Sequence, residues 1–387
     1  ITVAGGRIVG LGTAPAANAR RVELGHAIIL PGLINAHAHL EFSLLRSPLG
    51  KPGQPLPDWI REVLAYRRAE TIDRAAAIAE GIAESRRCGV TTIGEIATGD
   101  WEGAWYRGKS DGDPGAMDDL PRLVLFHELI GFAAYRANMD EAAARLRAEL
   151  SPRGAEMGLS PHAPYTVHPE LLRGLVSLAD QRGCPLAMHL AESPEELELL
   201  AEGSGPFQIL LSDAGLWDPG LIPRGSTPGD YLELLSQSCG RTLVVHGNYL
   251  SDEEIAQAAA AREKLSIVYC PRTHAYFGHR PYPLAAMVEA GVRVVLGTDG
   301  RSSNPDLNLL ADLRHAAMHH GVPLETVLAM ATCDAADALG RLDELGTLEV
   351  GKAADLCVLA LPEGNDPQDP LEWLLDERVQ AMEVPQS

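Results

Sequence analysis

Between residues 28 and 340 short apolar runs alternate with helix-patterned stretches, and this rhythm leaves few folds open. The runs occupy the segment from Ile28 up to His37, then residues 90–97, 122–128, 157–160, 185–192, 242–246, 265–270 and 293–299. Helical spacing of apolar residues fills 74–87, 139–150, 169–182, 252–264 and 306–320 between them. Strands joined through helices run parallel, because the crossover returns each strand to the same end of the sheet. Eight such units predict an α/β chain closed into a (β/α)₈, or TIM, barrel.

The two chain ends have a different texture. Residues 1–27 read as short strands punctuated by turns at Gly5-Gly6 and Gly25, and glycine-punctuated strands return over residues 346–359. These ends are expected to pair into one small β domain made of residues 1–30 and 341–387, with the barrel, residues 31–340, inserted between them. Residues 98–120 and 203–240 interrupt the rhythm after the second and fifth strands, where they are placed to cover a pocket. The chain starts at Ile1 inside a strand-like segment, so further residues are expected to precede it.

Barrels of this kind carry their chemistry at the carboxyl ends of the strands. There the sequence repeatedly sets a polar residue after an apolar run. The first run reads Pro31-Gly-Leu-Ile-Asn-Ala-His-Ala-His-Leu40, and residues two apart on a strand share a face, so His37 and His39 point together. Alone, such a pair is as well explained by two hydrogen-bonded core histidines. His189, which ends the fifth run, and Asp299, which ends the eighth, change the balance toward a metal site of His37, His39, His189 and Asp299. Helix capping is the plainer role for Asp299, but Ser302, Ser303 and Asn304 stand closer to the next helix. Imidazole and carboxylate donors suit one divalent ion, zinc first, with Fe²⁺ the alternative.

Three residues past His189, Glu192 is placed to turn back toward such an ion without binding it, as a general acid/base. The plainer reading is a first-turn helix glutamate. His246 ends the sixth run and is expected to stabilise charge developing on the attacking water, or to complete a two-metal site. Of the four lysines, Lys51, Lys109, Lys264 and Lys352, none closes a strand run, so a lysine-bridged pair of ions is disfavoured. His162, fixed between Pro161 and Pro164, is expected to contact substrate, as are His274 and, less directly, His279 beside Tyr276 and Phe277.

A formal net charge of −21 argues against a nucleic-acid partner, which would need clustered cations to displace counterions. The partner expected is a small neutral or cationic molecule. No apolar run reaches the roughly 18 residues of a membrane helix, and no basic-then-apolar leader opens the chain. The six cysteines are dispersed and are expected to be reduced core residues, so the protein is expected to be cytoplasmic.

Five stretches together resemble the amidohydrolase superfamily, in its cytosine deaminase-like and chlorohydrolase-like branch. They are Pro-Gly-Leu-Ile-Asn-Ala-His-Ala-His-Leu, Ser-Pro-His-Ala-Pro-Tyr-Thr-Val, His-Leu-Ala-Glu-Ser, Gly-Thr-Asp followed by Ser-Asn-Pro-Asp-Leu-Asn-Leu, and Gly-Thr-Leu-Glu-Val-Gly-Lys-Ala-Ala-Asp-Leu. The resemblance implies a β-sandwich from both termini, one metal on His37, His39, His189 and Asp299, and a proton shuttle at Glu192. It also implies that Asp299 takes a proton from water beside His246, that His162 contacts substrate, and that the chain forms a homo-oligomer. His-x-x-Glu after the fifth strand is similar to deaminases of S-adenosylhomocysteine, methylthioadenosine and aminodeoxyfutalosine. The activity implied is hydrolytic deamination of an amino-substituted heterocycle of the adenosine type. The alternative is loss of chloride or an alkylamine from a triazine-like ring, or cyclic amide hydrolysis, at the same site. Arg301, in place of a common serine, and Pro-Arg-Thr-His-Ala-Tyr-Phe-Gly-His after the seventh strand depart from that pattern, and both bear on which substrate fits.

Overall fold

The computed structural model describes residues 1–13, 18–68, 72–99, 101, 120–132, 138–142, 144, 156–238, 240–363, 367 and 369–382. Its centre is a parallel sheet of eight strands in sequential order: β4 (Leu33–Ala38), β5 (Val90–Ala97), β6 (Arg122–Leu129), β7 (Glu156–Pro161), β8 (Leu186–Leu190), β9 (Thr242–His246), β10 (Leu265–Tyr269) and β11 (Val294–Leu296). The last strand returns to the first through an isolated parallel bridge between Ala38 and Asp299. Backbone hydrogen bonds from Thr298 and Asp299 N–H to the His37 carbonyl, at 3.2 and 3.1 Å, complete the closure. The predicted (β/α)₈ barrel is therefore the fold.

Closure rests on side chains as well. Asn35 donates to Thr298 Oγ1 at 2.7 Å, while its own Oδ1 accepts from Thr298 N–H at 3.1 Å and from His37 N–H at 3.3 Å. It is fully buried, so removing it strands several polar groups away from water. Asn35→Ala is expected to destabilise the fold by about 2–4 kcal/mol, read as a lowered urea midpoint at unchanged m-value. Gly297 opens the same seam: a Cβ there would sit 3.0 Å from both the Cβ and the carbonyl oxygen of His37.

Alternation along the strands sorts the core into two layers. Ile34, Ala36, Ile96, Val124, Phe126, Ala187, Leu243, Val245, Val268 and Val295 fill the barrel interior. Their neighbours, such as Leu123, Leu125, Leu186, Met188, Ile267 and Leu296, face outward beneath the helices. Each large side chain so buried stabilises the fold by about 1.5–3 kcal/mol.

The apolar run from Ile28 is not one strand. It divides at Gly32 into β3 (Ala27–Pro31) and β4, and β3 pairs antiparallel with β12 (Leu356–Ala360), which pairs in turn with β13 (Gln380–Met382). Near the same end β1 (Thr2–Ala4) and β2 (Arg7–Gly10) form a two-stranded hairpin that bridges Ala353 through Arg7. Antiparallel sheets from both chain ends thus flank the barrel as expected. The run misled because an uninterrupted apolar stretch does not reveal where a chain leaves one sheet for another.

Helices at Arg74–Arg87 and Pro169–Arg182 match their predicted bounds. Two others are shorter than predicted: Asp252–Ala260 begins at the Ser251 capping box and stops early, and Leu309–His319 starts after its cap at Asn308. The expected helix at 139–150 and insertion at 98–120 lie mostly outside the described residues. The other insertion carries two helices, Pro206–Asp213 and Pro228–Leu235, whose Phe207, Leu210, Leu211, Tyr231, Leu232 and Leu235 join the outer core. It packs as an added part of the helical layer, and Phe207 stacks at 4.1 Å on Tyr165 of the loop after β7. Among the described residues no helix is long and apolar enough to cross a membrane.

Candidate metal centre

At the carboxyl rim three imidazoles converge: the ligand atoms of His37, His39 and His189 all lie within 4.8 Å of one another. Nε2 of His39 is 3.4 Å from Nε2 of His189. Oδ1 of Asp299 is 3.5 Å from His37 Nε2 and 3.6 Å from His39 Nε2. Strands β4, β8 and the end of β11, separated by many residues in the chain, deliver these four groups to one point.

Local backbone departures aim them. Ile34 and Ala36 face the interior, and a register shift against β5 between Asn35 and Ala38 turns the following residues so that both His37 and His39 reach the cluster. Three non-glycine residues among those described have positive φ: Ala191 at 54°, His246 at 73° and Asp299 at 57°. All three stand at the ends of barrel strands around this cluster. His246 directly follows the interior residue Val245, so a regular pleat would turn its ring outward; the left-handed backbone breaks that alternation. Such conformations cost of order 1–3 kcal/mol each and concentrate where function requires them.

The donors are also held in a state fit for a cation. His189 Nδ1–H donates to the His162 carbonyl at 3.0 Å, which leaves Nε2 as a bare acceptor facing the cluster. Ser303 Oγ donates to Asp299 Oδ2 at 2.7 Å, and this leaves Oδ1 toward the imidazoles. Burial first, then the neighbouring His37, keeps both His39 and His189 well below the usual imidazole value, so both are neutral. Burial opposes ionisation of Asp299, but its contacts with His37, His39 and His246 outweigh that and hold its carboxyl below the ordinary range. Both ring nitrogens of His37 and Nδ1 of His39 are buried without a hydrogen-bond partner. Unpartnered buried nitrogens beside a carboxylate form a donor set that a divalent ion satisfies and that packing alone leaves costly.

Glu192 and His246 stand next to this cluster. Glu192 Oε1 is 3.4 Å from His246 Nε2, and Glu192 precedes the helix Pro194–Glu202, whose cap is Ser193. The first-turn role is thereby excluded. Its corner is fixed from two sides: Glu196 accepts from the N–H groups of Ala191 and Glu192 at 2.8 and 2.9 Å, and Asn248 donates to the Glu192 carbonyl at 2.9 Å. Burial, then the charges of Asp299 and Glu196, pushes the Glu192 carboxyl well above its usual value. That shift favours the protonated form, the state a general acid needs.

His162 lies on the β7 side, 5.1 Å ring to ring from His189. His274 packs instead against Tyr269, Tyr282 and His279, at 5.8, 5.5 and 5.3 Å, and these ring contacts are not with the four-donor cluster. Reading the sequence missed Glu128, 3.9 Å from His162 Nε2, and Arg67, which pairs with Glu41 and whose charge acts on both Glu128 and His162. The signal for Glu128 was present: it follows Val124 and Phe126 at the two-residue period of an interior face, and so ends β6 on the site side.

An eight-stranded parallel barrel that gathers imidazoles and a carboxylate at its carboxyl rim has the architecture of metal-dependent barrel hydrolases. The chain belongs to the amidohydrolase family, whose sequence profile matches residues 28–383. It is 33% identical over 359 residues to a 5-methylthioadenosine/S-adenosylhomocysteine deaminase of Moorella thermoacetica, covering 87% of this chain and 74% of that one. The crystal structure of Helicobacter pylori aminofutalosine deaminase superposes with a TM-score of 0.75 at 25% identity, over 93% of this chain and 85% of that one. An adenosine deaminase from Xanthomonas campestris, solved with bound zinc, gives a TM-score of 0.70 at 27% identity over 90% and 76% of the two chains.

Proposed function

We propose that this protein is a zinc-dependent deaminase of an adenosine-type nucleoside, with His37, His39, His189 and Asp299 as the metal ligands. The observation that carries the reading is a cluster of three buried imidazoles with a carboxylate held toward its ionised form, set beside a buried carboxyl pushed toward its protonated form. When bound, the ion supplies Lewis acidity that makes a water reactive near neutral pH.

The remaining work falls to the side chains. Asp299 takes a proton from the attacking water, with Ser303 fixing the orientation of its carboxylate. Glu192 gives its proton to the ring nitrogen next to the carbon under attack, and His246 at 3.4 Å keeps that carboxyl aimed and stabilises charge on the water's oxygen. The proton held by Asp299 passes to the departing amino group and the proton of the new hydroxyl returns to Glu192, so carbon–nitrogen cleavage releases ammonia and leaves the ring oxo compound. His162 contacts the heterocycle from the β7 side, and His274, whose buried Nε2 has no partner, contacts substrate from the β10 side.

Incubating zinc-loaded protein with adenosine, methylthioadenosine and S-adenosylhomocysteine should release ammonia. Chloride or alkylamine released from substituted triazines, with no ammonia from any aminopurine, would favour the alternative leaving groups. A loaded protein inert toward all of these rejects the reading.

A further inference from the structure

Three of the described helices begin with a serine or threonine cap and carry an acid three residues later, the spacing at which the acid's side chain turns back to the N–H of the cap. Two of them do so. Asp230 accepts from Thr227 N–H at 2.7 Å, and Glu254 from Ser251 N–H at 2.8 Å. The helix Pro194–Glu202 begins like the others, with Ser193 Oγ accepting from Glu196 N–H at 3.3 Å. Its acid then overshoots. Glu196 reaches past the cap and takes the N–H of Ala191 on one oxygen at 2.8 Å and the N–H of Glu192 on the other at 2.9 Å.

Capping does not require so long a reach. Asp230 does its work exposed, whereas Glu196 is fully buried. Burial pushes its carboxyl up to about 7, and the bonds from Glu192 and Ala191 N–H are what oppose this. A buried acid is unfavourable unless the groups it meets need it, and these do. Ala191 has a φ of 54°, a conformation that a residue with a Cβ resists. Glu196 holds its N–H, and its carbonyl accepts from Tyr249 N–H at 3.0 Å. The next residue is gripped in the same way, Glu192 N–H by Glu196 and its carbonyl by Asn248 at 2.9 Å. Among the described residues the Glu192 carboxyl itself pairs only with His246, at 3.4 Å. Its aim is therefore set by the backbone beneath it, and Glu196 is the side chain that holds both N–H groups of that backbone.

We infer that Glu196 is a positioning residue for the general acid, a capping glutamate diverted to clamp the strained corner after β8 so that the Glu192 carboxyl faces the ring nitrogen. This rests on the deaminase reading above and adds to it the residue through which Glu192 is aimed. Capping and clamping predict opposite results for one substitution. Glutamine closes a capping box as well as glutamate does. It cannot clamp two N–H groups, because it has one acceptor oxygen and would turn its NH₂ toward the second donor.

The experiment compares wild type, Glu196→Gln, Glu192→Gln and the double variant, all zinc-loaded, on whichever of adenosine, methylthioadenosine and S-adenosylhomocysteine wild type deaminates fastest. Glu196→Gln should lower kcat by about 10–100-fold, the range for a misaimed reacting group, with KM and zinc content near wild type. In the Glu192→Gln background the same change should cost nothing further, since a group that acts through Glu192 has nothing left to aim. Glu254→Gln, the matched change at an ordinary cap, should leave kcat unchanged. An undiminished kcat in Glu196→Gln, a loss of zinc along with the rate, or a full second loss in the double variant overturns the role. Crystal structures of wild type and Glu196→Gln read the corner without turnover. The Glu192 carboxyl should move away from His246 by about 1 Å or more, and an unmoved corner overturns the inference. Absence of ammonia from all three compounds rejects deamination, and the two crystal structures then decide the positioning role separately. Should Glu196→Gln fail to fold, Glu196→Asp, which keeps both acceptor oxygens but draws them back by one methylene, takes its place in every comparison.

Discussion

Glu192→Gln is expected to lower kcat by about 10²–10⁴-fold, the range for losing a positioned general acid, while metal content and nucleoside affinity stay near wild type. The substitution keeps the shape, and Glu192 uses its backbone rather than its side chain to receive Glu196 and Asn248. The corner should therefore hold. What disappears is a transferable proton at a position 3.4 Å from His246. Single-turnover kinetics on zinc-loaded protein, with metal analysis of the same sample, checks this. A variant that keeps a tenth or more of the wild-type rate would remove Glu192 from the chemistry, and one that loses its metal as well would make it a ligand.

Asp299→Ala is expected to abolish both stoichiometric metal binding and activity, a larger combined effect than any other single change at the site. Asp299 supplies the only carboxylate within 4 Å of the His37 and His39 rings among the described residues. Ser303→Ala should have a graded effect, lowering metal affinity or activity by about 10–100-fold, because it frees the Asp299 carboxylate to rotate without removing it. Both are read by metal titration of chelator-treated protein. Full metal occupancy in Asp299→Ala would overturn its place in the ligand set. Activity of wild type after exhaustive chelation would overturn the need for an ion at all.

Much of this was legible in the sequence because barrel strands announce themselves by short apolar runs and barrel sites by the residue that ends them. His37, His39, His189 and Asp299 each ended such a run, and the structure brings them together. The residues that escaped notice do their work through packing partners rather than through position. Asn35 is one polar side chain inside an apolar run, and only its bonds to Thr298, 263 residues away, show that it clasps the barrel shut. Glu196 looks like any first-turn helix glutamate until its bonds to the β8 corner are seen. The turning of His246 depends on a positive φ that no residue preference signals. The division at Gly32 was hidden because both halves of the run are apolar for different reasons, one against β12 and one against β5.

That division has a consequence for synthesis. Among the described residues strand β3 pairs with β12 alone, more than three hundred residues later in the chain, and it is joined to the first histidine-bearing strand through Gly32. A nascent chain therefore carries an unmatched edge next to its earliest ligands until residues 356–360 have left the ribosome. Ribosome-stalled fragments ending before residue 356 should hold β3 as a sticky, protease-sensitive segment, and chaperone dependence should fall sharply once β12 emerges.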